Sequence, residues 1–328
     1  MKNKLEKLAL GFSLDEKESY DLITDISEEK LNATQISAAL AFYISRSITN
    51  EELSGFKKAL LDLSIPVKLD KQGIDVCGTG GDGKNTFNIS TLSALVLASA
   101  GIPIAKHGNY ASSSVSGSSD VLKHLGYQFK TTAEELNADM NNFNFCFMHA
   151  PLFHPALKKV AAIRKEMGVR TFFNIMGPLV NPANISGRYV GVFNLETARL
   201  YNYHLQKEKL NYTIVHSIEG YDEVSLTSPF KLYSNKEEQL IQPEDLGFKT
   251  IKGATILSGN TIAAAGDLFV SILKNECTQE QKDVVVINSA LAYKCHKPET
   301  ILADAVNICR ETIESKKAFE LFKKIINN

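Results

Sequence analysis

A chain of 328 residues is longer than one ordinary core requires, so a large domain with a smaller companion is the natural expectation. A hydrophobic share of 44% and a net charge of -1 describe a soluble protein without bulk attraction for nucleic acid, so any anion site must be a local concentration of Lys, Arg and backbone N–H groups. Cys77, Cys146, Cys277, Cys295 and Cys309 never form C-x-x-C, which argues against a disulfide framework or zinc. With no signal-peptide core and no apolar run of membrane-spanning length, the expected location is the cytoplasm.

Residues 1 to about 65 read as helical throughout, with Ser13-x-x-Glu16 and Thr49-x-x-Glu52 as capping boxes that open two helices. From Ile74 onward strands and helices alternate. Ile74-Asp75-Val76 reads as a strand end, Ser90 to Ala100 as a buried helix stopped by Gly101, and Ile102 to Ala105 as the next strand. Tyr127–Lys130, Phe145–Ala150, Tyr189–Phe193 and Tyr212–His216 are further strand candidates. Lys231–Ser234 and Gln239–Gln242 suggest a hairpin, followed by a helix at Ile262–Lys274 and a final helix pair. Val284–Ile287 reads as a strand between these helices.

The first of these strands runs into Gly78-Thr79-Gly80-Gly81-Asp82-Gly83. Its glycines let the backbone approach an anion closely and aim several N–H groups at it. Strand, helix and strand in quick succession form a right-handed βαβ unit whose two strands end on the same side of the sheet. The turn, the helix start at Asn88-Ile89-Ser90-Thr91 and Lys106 then meet where α/β folds bind ligands, beside a helix N-terminus that favours negative charge. Taken alone, the glycine cluster is as compatible with a mobile turn as with a phosphate cradle. Gly83-Lys84-Asn85 lacks the hydroxyl of a G-x-x-x-x-G-K-[ST] loop, and Gly80-Gly81-Asp82-Gly83 breaks G-x-G-x-x-G, so neither ATP nor NAD is indicated.

Asp222-Glu223 follows the Tyr212–His216 strand and a Gly220 turn, again at the carboxyl end of the sheet. Two adjacent carboxylates there suit Mg²⁺, which is commonly held by one or two carboxylates plus substrate phosphates. On spacing alone, a solvated acidic turn is the commoner reading. Ser112 to Ser119 has the composition of a flexible linker, yet its place directly after Lys106-His107-Gly108-Asn109 would put hydroxyls and unhindered N–H groups beside the glycine turn.

Gly78 to Asp82, Asn88 to Thr91, Lys106 to Asn109, Asn174 to Pro182 and Asp222-Glu223, in this order, make the chain resemble the anthranilate phosphoribosyltransferase family over nearly its whole length. The resemblance implies transfer of phosphoribose from PRPP to the amine of anthranilate, giving N-(5-phosphoribosyl)anthranilate and pyrophosphate, in tryptophan biosynthesis. It implies an α/β protein with a small all-helical N-terminal domain and a large α/β domain with a central, mainly parallel sheet. The helical domain would span 1–66 with a contribution from about 160–185, the α/β domain 67–328, and two copies would join through the helical domain. By the same resemblance PRPP would meet Gly78, Gly80, Gly81, Asp82, Thr86, Asn88, Ile89, Ser90, Thr91, Lys106, His107, Gly108, Asn109, Ser112, Ser113, Ser114 and Ser118. Anthranilate would meet Gly78, Asn109, Arg164, His107, His154 and Pro178, with the planar fork of Arg164 on its carboxylate. Mg²⁺, as two ions, would sit on Ser90, Asp222 and Glu223.

No protein nucleophile is required, because an aryl amine is uncharged near neutral pH and pyrophosphate is a good leaving group; the expected reaction is a direct displacement with inversion. The chain departs from the family pattern at Tyr110, where Arg is usual, and at Val115, where Lys or Leu is usual, so one or two positive charges are missing. Lys84 is the candidate to compensate. A pyrimidine nucleoside phosphorylase would share the fold, but its loop reads Lys-x-Ser-Gly-Arg. A nucleic-acid-binding relative would show a basic surface and loss of Asn109, Arg164 and Asp222-Glu223.

Overall fold

The computed structural model describes residues 2–111 and 114–328, so the expected contacts of Ser112 and Ser113 lie outside the described residues. The chain divides into two compact units, Met1–Pro66 with Ala150–Pro182, and Val67–His149 with Ala183–Asn328.

The first unit is helical: Lys2–Ala9, Glu16–Ser27, Ala33–Ile44, Asn50–Asp62 and Pro155–Met167 carry it. Three of these helices open on reciprocal capping boxes at Asp15, Asn32 and Thr49. The box expected at Ser13 is displaced by two residues: Asp15 Oδ1 accepts from Glu18 N at 2.7 Å, and Glu18 Oε2 accepts from Asp15 N at 2.9 Å. Asp15 wins because its N3 partner, Glu18, can reach back, and Lys7 adds an ion pair at 2.6 Å to that same carboxylate. The returning segment contributes to this core through Phe172, whose ring stacks on Phe56 at 4.2 Å while Tyr43 packs edge-on against both.

The second unit is built on one seven-stranded sheet: β1 Ile74–Gly78, β2 Ile104–Gly108, β3 Phe145–His149, β4 Gly187–Gly191, β5 Asn211–Ser217, β6 Phe230–Ser234 and β7 Glu238–Ile241. Their order is β3-β2-β1-β4-β5-β6-β7; the first five run parallel, and β6 and β7 add an antiparallel edge. β1, β3 and β4 are buried along nearly all their length, as parallel strands covered on both faces must be. Helix Ile89–Ser99 is apolar on nearly every side and buried against them, sharing a core with Ile74, Val76, Ile104 and Tyr189.

Two expected strands do not form. Val284–Ile287 lies inside the helix Gln279–His296, which opens on a Thr278–Gln281 capping box and buries all four residues. Their β-branched run signals deep burial, and tertiary packing overrides β-propensity. Tyr127–Lys130 makes no strand. Tyr127 is instead buried edge-on against Phe145 and Phe147, so its aromatic alternation records packing rather than a ladder.

Candidate active site

β1 delivers the chain to the glycine loop at Gly78, and Thr79 N donates to Gly191 O of β4 at 2.9 Å. Gly80, Gly81 and Gly83 have φ of 67°, 78° and 73°, the left-handed region that glycine enters without strain. The loop's backbone N–H groups are tied to the acidic pair: Gly80 N donates to Asp222 Oδ2 at 2.6 Å, and Ser90 N, in the first turn of helix Ile89–Ser99, donates to Glu223 Oε1 at 2.9 Å. The βαβ argument placed these segments together, and β1 and β2 are indeed parallel neighbours.

Asp222 and Glu223 are buried. Burial first, then the neighbouring Glu223 and Asp82 charges, hold the Asp222 carboxyl far above the usual carboxylate range. Burial also pushes Glu223 up to about 7 although Ser90 and Lys106 favour its ionised form. Asp82 Oδ2 is buried without a hydrogen-bond partner. Hard oxygens in a desolvated, mutually repelling cluster fit a divalent cation such as Mg²⁺. Among the described residues no three His, Cys, Asp or Glu side chains gather into a ready-made metal site, so substrate oxygens and water would have to complete the coordination.

Lys106 sits on β2 with 1% exposure, its ammonium donating to Val76 O and, at 3.4 Å, to Ser90 Oγ. Most of its charge is therefore spent inside the protein. His107 N donates to Asp75 Oδ1 at 3.1 Å. Gly108 has no room for a side chain, since a Cβ would stand 2.4 Å from Ser118 Oγ. Asn109 is exposed; its carbonyl accepts from Ser118 Oγ and Ser119 N, so the loop returns onto it. Ile89 and Thr91 are buried, Thr86 bridges to Leu257, and Ser114 is exposed. Tyr110, at the position of the missing arginine, is 40% exposed and packs edge-on against His149 at 4.7 Å. Val115 N donates to Asn85 Oδ1 at 3.3 Å.

In the helical unit, Arg164 lies on helix Pro155–Met167. Its Nη2 donates to Asn174 Oδ1 at 3.1 Å, its guanidinium lies 5.4 Å from the Phe173 ring centre, and its Nε is buried without an acceptor. Burial lowers its pKa. His154 is 1% exposed with Nε2 2.8 Å from Val180 O, and Pro178 is buried in a short 3₁₀ turn.

Several residues that position the acidic pair escaped the sequence reading. Asn288, buried in helix Gln279–His296, accepts from Val224 N and Tyr189 OH and donates to Val224 O at 2.8 Å, pinning the residue after Glu223. Ser217 Oγ donates to Glu223 O at 2.8 Å. A polar Asn inside Val284-Val285-Val286-Ile287-Asn288 was the available signal, because a buried amide needs partners. Asp120 Oδ2 accepts from both Ala111 N and Gly117 N, at 2.7 and 2.8 Å.

Residues 2–64 match the helical bundle domain of the glycosyl transferase family, and residues 70–319 match that family's a/b domain. Anthranilate phosphoribosyltransferase of Cytophaga hutchinsonii is 46% identical over 99% of this chain and 100% of its own length. The crystal structure of anthranilate phosphoribosyltransferase from Thermus thermophilus superposes with a TM-score of 0.91 at 30% identity, covering 98% of each chain. The Saccharomyces cerevisiae enzyme in complex with PRPP and Mg gives a TM-score of 0.90 at 26% identity, covering 98% of this chain and 96% of the yeast one. The two matched domains, helical bundle and then a/b domain, make the chain a member of the glycosyl transferase family. Within that class the chain belongs to the anthranilate phosphoribosyltransferase family.

Proposed function

We propose that this chain transfers the phosphoribosyl group of PRPP to the amine of anthranilate, giving N-(5-phosphoribosyl)anthranilate and pyrophosphate, a step of tryptophan biosynthesis. The observation that carries this reading is the joining of a left-handed glycine loop and a helix N-terminus to two buried carboxylates, through the Gly80–Asp222 and Ser90–Glu223 hydrogen bonds. Amides and carboxylates so interleaved suit a polyphosphate with its cation. Gly78 to Asp82 and Asn88 to Thr91, with Thr86, Lys106 to Ser114 and Ser118, bind the donor, although the Thr79, Gly80, Ile89 and Ser90 amides already donate to Gly191, Asp222, Phe87 and Glu223. Mg²⁺, proposed as two ions on Ser90, Asp222 and Glu223, neutralises charge on the departing pyrophosphate when bound.

Arg164 receives the anthranilate carboxylate: Asn174 fixes one end of its fork, and the buried Nε still lacks an acceptor. The further acceptor-binding residues are His154 and Pro178 within the helical unit and Gly78, His107 and Asn109 within the α/β unit. The neutral amine attacks C1 directly, with inversion and without a ribosyl-enzyme adduct. The two compact units act as a helical domain and a phosphoribosyl-transfer domain. The protein works as a cytoplasmic homodimer joined through its helical unit, where Leu10, Phe12 and Ile44 are exposed apolar side chains; its five cysteines are free. No described helix is long and apolar enough to cross a membrane.

The test is the loss of anthranilate fluorescence on mixing protein with PRPP, with and without Mg²⁺, beside an Arg164→Ala control. Magnesium-dependent consumption that Arg164→Ala weakens is expected. Phosphate-dependent cleavage of uridine or thymidine instead would make the protein a phosphorylase, and silence in both assays would overturn the enzymatic reading.

A further inference from the structure

We propose that Lys84 is a further donor-binding residue, its ammonium contacting the diphosphate of PRPP; this rests on the transferase reading above. Lys84 closes the glycine loop, between Gly83 at φ 73° and Asn85 at φ 51°. The backbone is fixed on both sides of it. Lys84 N donates to Asp82 Oδ1 at 3.0 Å, while the Asn85 side chain donates to Gly259 O at 3.0 Å and accepts from Ser258 Oγ and Val115 N. A short, braced loop thus presents the lysine at the edge of the phosphate cradle.

The lysine's side chain rests on the ring of Tyr221. Its ammonium lies 4.8 Å from the ring centre of Tyr221, the residue immediately before Asp222, and makes no ion pair with any described residue. A cation held against an aromatic face keeps its charge available to an anion, whereas a salt bridge would consume it. Of the nearby carboxylates, Asp222 accepts from Gly80, Glu223 from Ser90 and Glu219 from the Thr227 hydroxyl, while Asp82 accepts from Lys84's own backbone through Oδ1 and keeps Oδ2 unpaired.

The competing cation is Lys106, which is buried and donates to Val76 O and Ser90 Oγ. The segment from Gly108 to Ser119 contains no Lys or Arg at all. Of the lysines that the loop, helix start and β2 bring to this edge, Lys84 alone has an uncommitted ammonium. The diphosphate is the better assignment than the 5′-phosphate because the lysine rests on Tyr221, next to the residues that suit its cation.

Lys84→Gln and Lys84→Arg would be compared with the unaltered enzyme by calorimetric titration with inorganic pyrophosphate and Mg²⁺, and by initial rates. Loss of one accessible charged contact predicts that Lys84→Gln weakens both pyrophosphate binding and the apparent PRPP KM by about 5- to 20-fold, leaving the anthranilate KM and the melting temperature unchanged. Lys84→Arg is expected to restore most of the loss, and added salt to narrow the gap. Unchanged pyrophosphate binding in Lys84→Gln would overturn the proposal. So would a selective loss of inhibition by ribose 5-phosphate, which would move the lysine to the other phosphate. Absence of anthranilate turnover by the unaltered enzyme would sink the transferase reading instead, a result that the pyrophosphate titration keeps distinct.

Discussion

The Gly80 amide donates to Asp222 Oδ2 at 2.6 Å, joining residues 142 positions apart in the chain. Ser90 and Glu223 repeat the relationship at 2.9 Å across 133 positions. The glycine loop and the helix start are therefore each held by one member of the acidic pair. An amide that serves a carboxylate cannot give the same hydrogen to a phosphate, so on the proposed reading cation arrival at the carboxylates and anion arrival at the amides would be energetically linked.

Gly191 is the position that this arrangement tolerates least. A Cβ there would stand 1.5 Å from Asp222 O and 2.6 Å from Asp222 C, and backbone atoms cannot rotate away as a side chain can. Gly191→Ala is expected to displace the acidic pair, lower stability by about 1–3 kcal/mol and cut kcat/KM for PRPP by about 100-fold. Denaturant unfolding and initial rates check this; wild-type values in both would mean that the Gly191–Asp222 approach does not matter.

Neutralising the acidic pair separates stability from function. Asp222 and Glu223 are buried beside each other, and burial with like charge disfavours their ionised forms. Glu223→Gln keeps an oxygen for the Ser90 amide while removing one charge, so without divalent cation the melting temperature is expected to rise by a few degrees. Turnover with Mg²⁺ should fall at least about 100-fold, the scale of losing a preorganised charge in a transition state. A lower melting temperature in the metal-free variant would contradict the electrostatic account.

The parallel core was legible because its signals are local: apolar runs of strand length, a helix apolar on nearly every side, and glycines where the chain turns sharply. The antiparallel edge was legible too, since Lys231–Ser234 falls on β6 and Gln239–Gln242 overlaps β7, running one residue past its end. Val284–Ile287 misled because a deeply buried helix and a buried strand share one composition. The segments proposed as the cradle were each visible as motifs, but their bracing was not. Asn288, Ser217 and Asp120 act through backbone partners that only the fold brings to them, and nothing in the spacing of Lys106 shows that its ammonium turns inward to Val76 O.

Asp120 clasps the two ends of the loop that follows Asn109, with one oxygen accepting from both Ala111 N and Gly117 N. Asp120→Ala leaves both amides without that acceptor, and the apparent PRPP KM is expected to rise about tenfold, the scale of a lost hydrogen bond to a charged group. Asp120→Asn, which keeps an oxygen, should recover part of it. The anthranilate KM is expected to move less. Equal effects on both substrates, or no difference between the two variants, would show that Asp120 serves general folding instead of the loop.

The helical unit carries its own pH dependence at Glu52, which is fully buried. Burial alone would raise its pKa, but hydrogen bonds from Arg46 and from the Thr49 and Leu14 amides outweigh it and hold the carboxyl below the usual range. A depressed folded pKa gives stability that is present above the unfolded value and lost as pH falls through the folded one. Removing this charge strands the Arg46 guanidinium, so Glu52→Gln is expected to destabilise by about 3–5 kcal/mol near pH 7. The gap between variant and wild type should hold down to about pH 4.3, the ordinary glutamate value, and close below it. Urea midpoints followed by far-ultraviolet circular dichroism between pH 7 and 3 test the sign; a gap that widened on acidification would mean that the Glu52 carboxylate is not the stabilising form.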